Sequence, residues 1–342
     1  MRFILATLLC TALGALADCP PLDKACARAA LKTHPAKQAQ FWKIALGKPL
    51  GERIGPAPPE LVDLLKMDNI ANGYPNQPRV PQLEPAFVEE VRRAFEEIPE
   101  PVKRTLTGKL AGIYFVDDIG GTGFTDEVLN SRAGLGFIVL DPTVLMARTA
   151  NEWATWKDNT PFRPDPGWKL TERIESPAND DRKQAIQYIL MHELAHVIAI
   201  GGNLHPPWVL SPAEVKSTRE YPFFGFSWSV KGDSYVTAFD GAFPQRKQVA
   251  FYFGAKLDGA AMKDTYEALG RTSFPTLYAA THPADDFAES LTNYVHVVLM
   301  KKPFEIRISK GDAVVKTYRS CWGEKRCAEK RKYLEELLGK RW

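Results

Sequence analysis

The sequence predicts an α+β protein in which one long helix lies beside a small sheet and a mainly helical segment precedes both. Residues 179–200 carry apolar side chains at helical spacing, and residues 18–72 contain shorter helical pieces. Segments 109–119 and 135–142 are rich in β-branched and aromatic residues, which is typical of strands. With 342 residues, 45% of them hydrophobic, the chain is long enough to form a large core.

The first seventeen residues have the pattern of an export signal. Arg2 gives a short positive start, an apolar run follows, and the tripeptide at 15–17 fits the small-x-small pattern before a cleavage point. The run is shorter than the roughly 20 residues that a membrane span needs. We therefore expect a signal peptide over 1–17 and an exported protein, periplasmic or secreted, without stable membrane insertion.

The four cysteines outside this segment form one close couple near each end of the chain. An even number of cysteines in an exported protein favours disulfides. We expect the pairs Cys19–Cys26 and Cys321–Cys327, with a bridge between the two ends as an alternative. A four-cysteine metal site is disfavoured, because neither couple has the two-residue spacing usual for such sites.

The chain is predicted to divide at a proline-rich connector. Residues 18–85 are a helical N-terminal extension that ends in this connector at 74–85, and residues 86–342 form the main domain. Within that domain a helix is predicted over 86–98, followed by the two strands at 109–119 and 135–142. The glycine-rich stretch between these strands is predicted to be a loop, and it lacks the Lys-Ser/Thr ending of a phosphate-binding loop.

The helix predicted over 179–200 has clear signals at both ends. Asn179 or Asp180 can cap its start, Asp181 suits the first turn, and Gly201-Gly202 can end it in a left-handed conformation. Residues 203–275 are aromatic and irregular, which is compatible with an insertion that faces a substrate. A second helix is predicted from Pro283, and the basic C-terminal residues are predicted to be helical.

This helix contains the segment His192-Glu193-Leu194-Ala195-His196, which matches the HExxH pattern. Two histidines four residues apart project from one helix face, so both imidazoles can reach one ion. Zn²⁺ prefers such nitrogen ligands in a tetrahedral shell, which predicts one zinc ion. Glu193 is placed to take a proton from a zinc-bound water, whose pKa the ion lowers to about 7. The motif therefore predicts a zinc-dependent hydrolase.

Two histidines leave such a site short of a third protein ligand. His205 is one candidate, but it lies well beyond His196 in the sequence. The metzincin pattern HExxHxxGxxH requires glycine at 199 and histidine at 202, where this chain has Ala199 and Gly202. We therefore exclude that class and expect His205 to be a loop histidine.

The segment 278–289 supplies better candidates. It resembles the YAATDPAEFFA-type segment of Mlc titration factor A-like peptidases and, more loosely, a segment of the anthrax lethal factor, both gluzincin-type zinc metallopeptidases. The resemblance implies that Asp285 is the third zinc ligand and that Tyr278 assists catalysis. This chain has aspartate where glutamate is usual, so Glu289 remains the alternative ligand. Otherwise Glu289, one turn after Asp285, orients a ligand histidine. Asp286 turns to another helix face.

Together these observations imply a zincin-like catalytic domain in residues 86–342 and an exported zinc metallopeptidase acting on proteins or peptides. Glu193 is the expected general base, and Tyr278 is expected to donate a hydrogen bond to the oxyanion. The strand over 135–142 is expected to pair with an extended substrate. The alternatives are an inactive binding protein on the same scaffold and a zinc amidase acting on cell-wall peptides. A net charge of +3 gives no case for nucleic acid as a partner.

Overall fold

The computed structural model describes residue 19 and residues 23–208, 210–252 and 254–339. These residues form a mixed α+β fold, as the sequence predicts. The export signal predicted for 1–17 lies outside the described residues.

The helices are joined by several short 3₁₀ turns. They are α1 (Lys24–Thr33), α2 (Lys43–Leu46), α3 (Pro59–Asn72), α4 (Pro85–Glu96), α5 (Glu100–Thr105), α6 (Pro142–Leu145), α7 (Ala150–Asn159), α8 (Arg182–Ala199), α9 (Met262–Leu269), α10 (Pro283–Tyr294) and α11 (Ala328–Gly339). The strands are β1 (Ile54–Pro56), β2 (Leu110–Phe115), β3 (Gly123–Glu127), β4 (Gly136–Leu140), β5 (Trp168–Arg173), β6 (Trp228–Lys231), β7 (Ser234–Thr237), β8 (Glu305–Lys310) and β9 (Ala313–Arg319).

The largest sheet has the strand order β1-β2-β4-β3. Strands β1, β2 and β4 are parallel, and β3 runs antiparallel to β4 at the edge. The glycine-rich stretch predicted to be a loop therefore contains a strand, and that prediction is wrong for residues 123–127. Its glycine and acidic residues are typical of a loop, but all five residues of this edge strand are only half-buried, so its polar side chains remain in contact with water.

Strand β4 lies inside this sheet, with β2 on one side and β3 on the other. Its backbone groups are therefore already engaged by both neighbours. The expectation that residues 135–142 pair with a substrate is wrong for this reason. Two further sheets, β5-β8-β9 and the hairpin β6-β7, are antiparallel and have no counterpart among the strands that the sequence predicts.

Helix α8 begins at an aspartate cap. The Asp181 side chain accepts a hydrogen bond from the Gln184 N–H over 2.9 Å, which satisfies a free donor of the first turn. The sequence placed the cap at Asn179 or Asp180, and the structure corrects this to Asp181. The Asp180 carboxylate is engaged elsewhere, since it accepts from the Asn151 N–H over 2.9 Å.

The C-terminal end of α8 is held against the sheet. Gly201 follows with a φ of +68°, the left-handed geometry that the sequence predicts. Gly134 packs directly beside it, and a Cβ on Gly134 would lie 2.4 Å from the Ile200 carbonyl oxygen. The Lys109 ammonium donates to the same oxygen over 2.6 Å and compensates for the missing helical partner. These contacts set the position of α8 relative to β2 and β4.

The large sheet is covered on both faces. Because successive strand residues point to opposite faces, Ile113 and Ile138 pack with α4 and α8, whereas Phe137 and Val139 pack with α3 and Trp42. Residues 54–56 also add strand β1 to this sheet. The N-terminal segment thus contributes a strand and one layer of the core, while its division from the main domain at residue 85 stays a prediction.

Both predicted disulfides, Cys19–Cys26 and Cys321–Cys327, are confirmed, each with a Cα–Cα distance of 5.7 Å. Their formation excludes the bridge between the two ends and the four-cysteine metal site. Disulfides are typical of proteins that function outside the cytoplasm. Among the described residues, none of the helices combines the length and the apolar character that crossing a bilayer requires.

Candidate metal centre

Helices α8 and α10 pack against each other and bring three metal-binding side chains together. His192 and His196 extend from one face of α8, and their Nε2 atoms lie 3.2 Å apart. Asp285 stands in the first turn of α10, with its Oδ1 3.7 Å from Nε2 of His196 and 4.0 Å from Nε2 of His192. We call these three residues the triad.

The donor set of the triad fits one Zn²⁺ ion. Tetrahedral ligands with bonds of about 2.0–2.1 Å lie roughly 3.4 Å from one another, so the spacing between the histidines already matches. The carboxylate needs only a small inward movement to match as well. Two neutral imidazoles and one carboxylate are a common ligand set of zinc hydrolases, which leave the fourth position open.

Glu289 lies behind His192 and sets its tautomer. Its Oε1 accepts a hydrogen bond from Nδ1 of His192 over 2.9 Å, which leaves Nε2 free to face the triad. Its Oε2 accepts from the Thr276 hydroxyl over 2.6 Å. Burial opposes ionisation of Glu289, but the buried ammonium of Lys157 and the His192 hydrogen bond outweigh it and hold its pKa at about 2. Glu289 is therefore an anion with both oxygens engaged.

Asp285 is in a different electrostatic position. Burial is the main cause that raises its pKa to about 7; the nearby carboxylates of Glu289 and Glu193 contribute to the rise, and His192 opposes it. A divalent cation among the triad atoms would favour the charged carboxylate instead.

Asp286, the next residue along α10, lies outside the triad. It is fully buried, accepts from Trp228 Nε1 over 3.0 Å and pairs with the Lys330 ammonium over 2.5 Å. The hundred-degree rotation between successive helix residues turns it into the core, where it forms an ion pair.

Glu193 lies buried beside the triad and lines a large cleft. Its Oε2 accepts a hydrogen bond from the hydroxyl of Thr125 over 2.8 Å. Burial raises the pKa of Glu193, although His192 and the Thr125 hydrogen bond oppose the shift. The edge strand β3 therefore positions the acid that the sequence nominates as the general base.

Tyr278 precedes α10 in a short 3₁₀ turn and stacks on a candidate ligand. Its ring lies nearly parallel to that of His192, with centroids 5.5 Å apart and an interplanar angle of 15°. The buried ring of Phe251 supports it at a centroid distance of 4.7 Å. The carboxylate of Asp285 and burial together raise the pKa of Tyr278, so its hydroxyl keeps its proton and can donate it in a hydrogen bond.

A cleft of about 1340 Å³ opens beside these residues. His192, Glu193, Tyr278 and Glu289 line it, together with the start of β3 and part of α7. The structure thus brings every residue that the sequence nominates for the site into one region.

His205 is near this region but does not belong to the triad. It is buried, its Nδ1 contacts the Pro206 carbonyl over 2.8 Å, and burial lowers its pKa. Trp208 lies near both His196 and His205, with its ring centroid 5.3 Å from that of His196 and 6.4 Å from that of His205. Its indole is 37% exposed and forms part of the surface beside the triad.

Sequence reasoning missed several residues of the site. Thr125 lies in a stretch that resembles a loop, and residues 123–127 show no apolar alternation that could reveal a strand. Lys157, Trp156 and Tyr252 belong to no motif, and they reach the cleft only through the packing of α7 and of the segment 249–252.

Comparisons with protein families, curated proteins and solved structures found no match to this chain.

Proposed function

We propose that this chain is an exported zinc-dependent metallopeptidase of zincin type that hydrolyses peptide bonds. The observation that carries the proposal is the convergence of the triad, His192, His196 and Asp285, whose ligand atoms lie within 4.8 Å of one another. They lie beside a cleft that His192 and Glu193 line. When bound, zinc would supply Lewis acidity, which polarises a carbonyl and acidifies a water molecule.

The chain's own residues account for the proton transfers. Oε2 of Glu193 is engaged by Thr125, so Oε1 is the atom that we assign to take a proton from the attacking water and pass it to the leaving nitrogen. The hydroxyl of Tyr278 donates a hydrogen bond to the oxygen of the scissile carbonyl as charge develops there. The position of its ring over His192 supports this role.

The edge strand β3 is the segment that we assign to the substrate backbone. Among the described strands it pairs only with β4, and its N-terminal residue Gly123 lines the cleft. An extended peptide can add to such an edge through main-chain hydrogen bonds. This assignment replaces β4, which is paired on both sides.

The zinc proposal is tested by metal analysis of the purified mature protein. We expect about one zinc per native chain and almost none in His196→Ala and Asp285→Ala. His205→Gln is the matched control, because it changes a buried histidine outside the triad and should retain zinc. A full zinc complement in both triad variants would contradict the proposal.

The peptidase proposal is tested with a peptide library. We expect the native protein to cleave peptides, a chelator to abolish this cleavage and added zinc to restore it. The Glu193→Gln variant should keep its zinc but should not cleave. If the biological effect of the protein survives Glu193→Gln, the inactive binding protein is the correct alternative.

A further inference from the structure

An aromatic wall, defined here as Trp156, Tyr252 and Tyr278, extends from the triad along one side of the cleft. Centroids of Trp156 and Tyr252 lie 5.6 Å apart, and those of Tyr252 and Tyr278 lie 6.2 Å apart. Tyr278 in turn stacks on His192 at 5.5 Å. The wall is therefore continuous with the proposed reaction centre.

Tyr252 has an unusual backbone conformation within this wall. Its φ is +67°, a left-handed geometry that is unfavourable for an aromatic residue and that glycine would adopt without strain. Its N–H donates to the Thr160 hydroxyl over 3.3 Å, and the buried Phe251 anchors the preceding position. Strained backbone of this kind is concentrated at functional sites.

Core packing does not explain the side chain of Tyr252, because 42% of its surface is exposed and it lines the cleft. Trp156 is also only partly buried. The guanidinium of Arg148 stacks on Trp156 at 4.5 Å, and the ammonium of Lys157 is paired with Asp158 at 2.8 Å. The Lys157 ammonium also lies 5.5 Å from the ring centroid of Tyr278, but it is buried and Asp158 balances its charge. Among the described residues, the wall therefore presents aromatic surface with the Arg148 cation at its margin.

We propose that Trp156 and Tyr252 form a subsite for an aromatic side chain of the peptide, close to the bond that is cleaved. Tyr252 is then a specificity-determining residue, and its strained conformation keeps the ring in the cleft before substrate arrives. Aromatic side chains favour such surroundings because they add stacking or edge-to-face contacts to apolar burial. This proposal rests on the proposed peptidase function, since the path through Tyr278 to His192 is what places the subsite beside a reacting bond.

Binding is measured by calorimetry on the zinc-loaded Glu193→Gln protein, which prevents turnover. The probes are acetyl-Ala-Ala-Phe-Ala-Ala-amide and the same peptide with alanine or glutamate in place of phenylalanine. We expect the phenylalanine peptide to bind roughly threefold to tenfold more tightly than the alanine peptide. In this Glu193→Gln background, a second substitution Tyr252→Ala or Tyr252→Gly removes the preference for phenylalanine, whereas Tyr252→Phe retains it.

Tyr252→Gly is the decisive variant, because it removes the ring and the backbone strain together, and glycine adopts a φ of +67° freely, so we expect the fold to be kept. Tyr74→Ala is the matched control, since it removes an exposed tyrosine that does not line the cleft. An unchanged preference for phenylalanine in Tyr252→Gly would overturn the proposal. Tighter binding of the glutamate peptide would also overturn it and would assign the subsite to Arg148.

Failure of this inference is distinguishable from failure of the peptidase proposal. If the native protein cleaves peptides without a preference for phenylalanine, the subsite proposal is rejected and the peptidase proposal is not. Protein that binds the phenylalanine peptide through Tyr252 but cleaves nothing would support the subsite and reject the peptidase.

Discussion

Glu289 accepts the Nδ1 proton of His192 over 2.9 Å, so one carboxylate fixes both the tautomer and the rotation of a candidate metal ligand. The same carboxylate takes a second hydrogen bond from Thr276, which prevents it from turning. Helix α10 thus carries one candidate ligand, Asp285, and, one turn later, Glu289, which orients the candidate ligand His192.

Removal of this support should weaken metal binding without abolishing it. We expect Glu289→Ala to lower zinc affinity by about ten- to hundredfold, the usual effect of losing such a hydrogen-bond partner. Asp285→Ala should lower it much further, because a donor atom is lost. Competition with a fluorescent chelator measures both, and the exposed Glu336→Ala serves as control. A greater loss in Glu289→Ala than in Asp285→Ala would identify Glu289 as the ligand.

Loss of the neighbouring acid, Asp286, should lower the stability of the fold and leave zinc binding unchanged. Asp286→Asn leaves the buried ammonium of Lys330 without its counter-ion, and breaking a buried pair costs about 3–5 kcal/mol of unfolding free energy. Urea unfolding measures this loss, while zinc content should stay at the native level. Lys330→Met added to Asp286→Asn should recover part of the stability. A stable but zinc-free Asp286→Asn protein would contradict the assignment.

The hydrogen bond from Thr125 to Glu193 should be needed for full activity. Thr125→Val removes the donor with little change in shape, and we expect kcat/KM to fall roughly ten- to hundredfold, as for other hydrogen bonds to charged groups. Thr125→Ser keeps the hydroxyl and should restore most of the rate. Equal rates for the valine and serine variants would show that the hydroxyl has no part in the reaction.

Tyr278→Phe should lower kcat more than it changes KM. The hydroxyl is proposed to act only as charge develops on the carbonyl oxygen, and loss of one such donor costs about a hundred- to thousandfold in kcat. The phenylalanine ring can still stack on His192, so zinc content should be unchanged. An unchanged kcat would assign Tyr278 a packing role only.

Acid should destabilise the fold through His296. This imidazole is buried in the π-helical turn after α10 and contacts the carbonyls of Ile174 and Pro303 through Nε2. Burial lowers its pKa from 6.5 to about 4. Below pH 6.5 the unfolded chain therefore binds a proton that the folded chain does not. Stability falls as pH drops through this range, by roughly 3 kcal/mol when it reaches pH 4.

The control for this prediction is His296→Gln, which keeps a side-chain N–H donor but does not titrate. Urea unfolding at pH 7 and pH 4 should show a smaller loss of stability in this variant than in the native protein. Equal losses of stability in His296→Gln and the native protein would exclude His296 as a cause of the acid destabilisation. His282, whose pKa burial also lowers to about 4, contributes to the part of the loss that remains.

The residues that sequence reasoning found are those whose spacing is local. His192, Glu193 and His196 share one helix, so a four-residue interval determines their common face before any tertiary contact is known. Asp285 and Tyr278 were found through a resemblance in one short segment. The two disulfides followed from cysteines that are close in the sequence.

The site residues that sequence reasoning missed depend on contacts between distant segments. Thr125 reaches Glu193 only because β3 joins the edge of the sheet, and its polar composition concealed the strand. Lys157 reaches Glu289 from α7, and its lone position in the sequence carries no periodic signal. The antiparallel pairing of β5 with β8 likewise joins segments that are over a hundred residues apart, beyond the range of any local pattern.

The layer formed by α1, α2 and α3 has a consequence for maturation. Trp42, Leu61 and Leu65 cover Phe137 and Val139 on the outer face of the large sheet. Proteolytic removal of everything before residue 85 would expose this apolar face and free the edge of β2 from β1. Such a fragment would be prone to aggregate, so we predict that the N-terminal segment stays with the rest of the chain in the functional protein.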